Sequence, residues 1–84
     1  MARYLENRII PAANLHKQIT VTHWQATTLS GHYAEETIDT KGELTFSGEN
    51  HIVLRYYRRN PVTKRAHGYY KTIYKQDFIG YEET

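Results

Sequence analysis

A chain of 84 residues with a net charge of +2 lies near the lower size limit of independent folding, so it holds one core and one domain spanning residues 1–84. It has no cysteine, which excludes disulfides, thiolate chemistry and cysteine-ligated metals and points to a reducing, cytoplasmic setting. No stretch nears the roughly 18 apolar residues of a membrane span, the region after Met1 lacks the apolar segment of a signal peptide, and the start at Met1 reads as a complete small gene product with no membrane partner.

Eight Tyr and one Trp imply a core with a large aromatic share. Together with the β-branched residues they predict a mainly β fold, a small antiparallel meander or partly open barrel of about five strands. Residues 2–10 fit a helical face through Leu5 and Ile9 and also fit a strand; their Ala, Leu, Glu and Arg favour one short N-terminal helix, ended by Pro11. The first strand is expected over residues 18–28, with Ile19, Val21 and His23 on one face and Thr20, Thr22, Trp24 and Ala26 on the other. Trp24 is out of phase with the aliphatic residues, which implies a bulge or burial on both faces. Ser30 and Gly31 signal a turn before a second strand over residues 32–40, where Ala34 and Ile38 share a side.

Lys41 and Gly42 read as a tight hairpin turn, since glycine supplies the positive φ such turns need. A third strand over residues 43–47 then points Leu44 and Phe46 inward. After the turn chemistry of residues 47–50, the strongest strand runs over residues 51–59, with Ile52, Leu54 and Tyr56 alternating against Val53, Arg55 and Tyr57. Asn60, Pro61 and Gly68 bracket a longer basic loop, and the last strand is expected over residues 69–78. The predicted core is Trp24, Leu44, Phe46, Ile52 and Leu54.

Charge is segregated along the chain in a way the near-neutral total hides. Residues 51–76 contain Arg55, Arg58, Arg59, Lys64, Arg65, Lys71 and Lys75 and no Asp or Glu, interleaved with Tyr56, Tyr57, Tyr69, Tyr70 and Tyr74. Residues 29–50 carry Glu35, Glu36, Asp39, Glu43 and Glu49 against Lys41 alone. A basic ribbon attracts phosphate backbones by releasing their counterions, and exposed tyrosines can stack on unpaired bases. The candidate nucleic-acid-binding residues are therefore Arg55, Tyr57, Arg58, Arg59, Lys64, Arg65, Tyr69, Lys71 and Lys75. The competing structural reading puts Tyr56, Tyr70 and Tyr74 in the core and pairs the cations with the acidic strands beside them.

His16, His23, His32, His51 and His67 lack the close paired spacing of zinc motifs, so no metal or other cofactor is assigned. No residue pattern marks a catalytic group. Metal-free ribonuclease chemistry would need only residue types present here, with Glu43, His51, His67, Arg58 and Arg59 brought together by the strands. The first expectation is a non-catalytic nucleic-acid-binding module acting on DNA or RNA through residues 51–76. The second is a protein-binding inhibitory module, for example a phage-type inhibitor of a host nuclease or defence complex, with Glu35, Glu36, Asp39 and Glu43 imitating phosphates. An unpaired sheet edge in so small a chain would also permit a homodimer.

Overall fold

The computed structural model describes residues 7–29 and 31–84. Alternating β-branched and apolar positions produce five strands, β1 (Gln18–Leu29), β2 (His32–Ser47), β3 (His51–Arg59), β4 (Ala66–Tyr74) and β5 (Phe78–Glu83). They form one open antiparallel sheet in the order β4-β3-β2-β1-β5. The first four strands meander, and the fifth returns to the free edge of β1. That return uses only a three-residue 3₁₀ turn, Lys75–Asp77. So short a connection spans at most about 14 Å between Tyr74 and Phe78, and the sheet must therefore curl until its two edges nearly meet. Across the remaining gap the Lys71 ammonium donates to Gln25 Oε1 at 2.9 Å.

The inner face of the curl holds the core: Ile19 and Val21 from β1, Leu44 from β2, Ile52 and Leu54 from β3 and Ile73 from β4, all at most 2% exposed. Ile10 completes the core from the segment before Pro11. Its N–H donates to Ser47 Oγ at 3.1 Å, and the same hydroxyl donates back to the Ile10 carbonyl at 2.6 Å. The segment thus packs down as an irregular cover. The expected helix over residues 2–10 falls partly on residues 2–6, outside the described residues, and residues 7–10 are not helical. Pro11 instead precedes one 3₁₀ turn, Ala12–Asn14.

Four other expectations are corrected. Lys41 and Gly42 make no turn, because β2 runs unbroken through them. Gly42 is needed for proximity: a Cβ there would stand 2.8 Å from the Arg55 carbonyl oxygen on the crossing β3 strand. Phe46 is 46% exposed because the β2–β3 register shifts between Leu44 and Phe46, which turns Ser47 inward in its place. Trp24 is 44% exposed on the outer face; the irregularity near it lies between Thr22 and His23, where Ile79 of β5 is the unpaired residue. The expected last strand over residues 69–78 is two strands, with β4 starting at Ala66 and β5 at Phe78. Of the Ser30 and Gly31 turn, Ser30 lies outside the described residues, and Gly31 has a φ of +79°.

β2 and β3 pair only from Glu43↔Arg55 to Ser47↔Ile52. Beyond Glu43 and Arg55 each continues in its own hairpin, so a β1–β2 arm and a β3–β4 arm leave the sheet at the same end. The arms explain a radius of gyration of 15.2 Å, against about 12 Å for a compact chain of this length. No helix among the described residues is long and apolar enough to cross a membrane.

Candidate nucleic-acid interface

The β3–β4 arm is a two-stranded ribbon whose faces follow from its register. Tyr56↔Tyr69 and Arg58↔His67 lie on the inner face, and Arg55↔Tyr70, Tyr57↔Gly68 and Arg59↔Ala66 lie on the outer one. Every residue from 57 to 70 is exposed. On the inner face the Tyr56 and Tyr69 rings stack at 5.8 Å, so half-buried Tyr56 stiffens the ribbon just above the core. On the outer face Tyr57 and Tyr70 are 64% and 66% exposed. Tyr70 and Tyr74, the latter 55% exposed, are therefore not core residues.

Asn60 orders the tip. Its side-chain oxygen accepts the N–H groups of Val62 and Thr63 at 2.8 and 3.2 Å, an Asx turn that Pro61 suits by its fixed φ. The Lys64 N–H returns to the Asn60 carbonyl at 2.8 Å and the Asn60 N–H to the Arg65 carbonyl at 2.9 Å. Lys64 adopts a left-handed φ of 63° to close the loop. The loop is thus shorter than expected, and Gly68 lies within β4. Arg58, Arg59, Asn60, Pro61, His67 and Tyr69 line a shallow cavity of about 250 Å³ at this end.

The nine candidate residues do not form one surface. Tyr57, Arg58, Arg59, Lys64, Arg65 and Tyr69 share the arm, divided between its faces and tip. Arg55 sits at its base, where Nη2 donates to Glu43 Oε1 at 2.6 Å and the guanidinium lies 5.8 Å from the Tyr57 ring centre. Lys71 points into the gap toward Gln25. Lys75 lies in the 3₁₀ turn at the opposite end of β4 from the tip. Among the described residues Arg58, Arg59, Lys64 and Arg65 make no ion pair, so pairing with the acidic strands accounts for Arg55 alone.

The acidic residues are also divided. Glu35, Asp39 and Glu43 alternate onto the outer face of β2, while Glu36 lies on the inner face opposite Gln25. Asp39 accepts a hydrogen bond from Thr22 Oγ1 at 2.6 Å. Glu43 is held at the arm base by Arg55 and by His16 Nδ1 at 3.2 Å. The His16 hydrogen bond, then the Arg55 one, holds the Glu43 carboxyl below the ordinary glutamate value of 4.5, against a smaller opposing effect of burial. A lowered folded-state pKa stabilises the fold above the ordinary value, and that stabilisation is lost as pH falls through the lowered one. Glu43→Gln should therefore melt below the wild type at pH 7, with the difference shrinking as the pH falls below about 4.

Among the described residues, the histidines and the ribonuclease set are spread over the molecule. His23 is buried, donating Nδ1–H to the Trp24 carbonyl at 3.2 Å and accepting the Thr40 hydroxyl at 2.8 Å. His51 stacks on Phe46 at 4.9 Å. His67 faces Arg58, about 23 Å along the ribbon from His51 at the usual strand rise. Glu43 is bound at the arm base, away from both. Sequence reasoning missed the cleft between β1 and β4. It is about 400 Å³ in volume and is lined by Trp24, Gln25, Lys71, Tyr74 and Asp77 among others. Nothing in the sequence marks it, because it depends on how far the sheet curls.

Comparison of the chain with protein-family models, with curated proteins and with solved structures returns no match. The molecule is thus defined by its architecture, a curled five-stranded sheet with one basic, tyrosine-bearing ribbon projecting from it.

Proposed function

We propose that this chain is a non-catalytic nucleic-acid-binding module that engages its ligand with the β3–β4 arm. The observation that supports the reading is the arm itself, an exposed ribbon in which Arg58, Arg59, Lys64 and Arg65 make no ion pair among the described residues, with no carboxylate between residues 51 and 76. Solvated cations on a pre-ordered turn lose little on meeting phosphates and gain from counterion release. A two-stranded ribbon also suits a duplex major groove, whereas exposed Tyr57 and Tyr70 suit unpaired bases.

Fluorescence anisotropy with labelled oligonucleotides tests the reading. Binding should weaken with salt along a log-log slope of about −3 to −4, the value for four phosphate contacts. Tyr57→Ala should weaken single-strand binding roughly 5- to 100-fold with the slope unchanged, since stacking is not screened by salt. Absence of binding at low salt would favour the alternative, a protein-binding inhibitory module. That alternative has weaker support, because Glu35, Glu36, Asp39 and Glu43 do not share one face.

A further inference from the structure

The curl leaves two strand edges facing each other across a cleft. Among the described residues β1 pairs with β5 only as far as His23, so the edge of residues 24–29 has no partner on that side. β4 is the terminal strand of the sheet, and its outer edge is likewise unpaired. Between them lies the cleft of about 400 Å³, inside the range of sites that take small organic groups. The strand alternation assigns its parts. Gln25 and Lys71 point inward, and their 2.9 Å hydrogen bond forms the floor. Trp24 and Tyr74 belong to the outer face and stand on opposite lips, 44% and 55% exposed.

The electrostatics of the cleft differ from those of the arm. Glu35 and Asp77 put carboxylates into its wall, beside the single cation Lys71. A phosphate is disfavoured there. A nucleobase is not: it is flat and uncharged, it stacks on aromatic rings, and its exocyclic amino group donates to carboxylates. The free edges add backbone N–H and C=O groups suited to a base edge.

We infer that the cleft between β1 and β4 is a binding site for one unpaired, amino-bearing nucleobase, with phosphates held outside by the basic arm. This rests on the nucleic-acid reading above and specifies its ligand as single-stranded. A base inside a duplex cannot enter, since both its ring faces are stacked on neighbouring bases and its pairing edge is occupied.

Trp24 is the only tryptophan in the chain, so its fluorescence reports on the cleft directly. Short oligo-dC and oligo-dT strands and a duplex would be titrated while anisotropy and Trp24 emission are followed together. Oligo-dC should change Trp24 emission in step with binding and bind at least about 5-fold more tightly than oligo-dT, the low end of a base contact. The duplex should bind without altering the emission. Asp77→Asn should remove the preference for oligo-dC, and Trp24→Ala should weaken oligo-dC binding roughly 5- to 100-fold without changing the salt slope. Trp24→Phe keeps a stacking ring and should retain most of the affinity. Constant emission through a complete binding curve, or equal affinity for oligo-dC and oligo-dT, overturns the cleft site and leaves the arm standing. Failure of every strand to bind overturns both.

Discussion

Leu54→Ala should lower the melting temperature by about 10 °C or more. Leu54 is fully buried on the inner face, opposite Leu44 in the β2–β3 ladder and Lys71 in the β3–β4 ladder. Truncation there removes apolar contact and leaves a cavity, at a cost of about 2 to 5 kcal/mol for a buried leucine. A chain of this length has a total stability of roughly 4 to 13 kcal/mol, and each kcal/mol moves the midpoint by about 4 to 8 °C. The core contains few large side chains, so little can shift to fill the space. A thermal scan by circular dichroism reads the effect, and an unchanged midpoint would mean that Leu54 is not in the core.

Gly42→Ala should also destabilise strongly, although it adds a single methyl group. Its Cβ would meet the Arg55 carbonyl oxygen at 2.8 Å and the Leu54 Cβ at 3.3 Å. One obstacle is backbone, so relief requires β3 to move away from β2 and strains the Glu43↔Arg55 and Leu44↔Leu54 pairs. Overpacking of this kind costs about 1 to 3 kcal/mol. Gly80→Ala is the matched comparison, because nothing lies within 4 Å of its added Cβ. Gly80→Ala should melt at or slightly above the wild-type temperature. Equal melting of the two variants would deny the close crossing at Gly42.

Those two glycines show where sequence patterning carries information about this fold and where it stops. Alternation identified the inward face of β3 through Ile52 and Leu54 and grouped Ile19, Val21 and His23 on one face of β1. It did not say which face of β1 is buried, and Trp24 on the opposite face was assigned to the core in place of Ile19 and Val21. Gly42 was misread because a glycine that permits close approach looks the same in sequence as one that permits a turn. Phe46 was misplaced by a register shift that alternation cannot register, and Ile10 was missed because it joins the core from irregular chain. The division of charge was readable, since it is linear along the chain. Its consequences were not: the pairing of Arg55 with Glu43, the position of Lys71 in the cleft and the distance of Lys75 from the tip all depend on the curl.

The most direct measurement for the central claim is the salt dependence of oligonucleotide binding by the Arg58→Ala/Arg59→Ala variant beside the wild type. Both arginines are exposed and outside the core, so the variant should fold and melt like the parent. If the arm carries the phosphates, the log-log slope should fall in magnitude by about 1.5 to 2, and affinity at low salt should fall with it. A variant with the same slope and the same affinity as the wild type would contradict the assignment of the β3–β4 arm as the nucleic-acid interface.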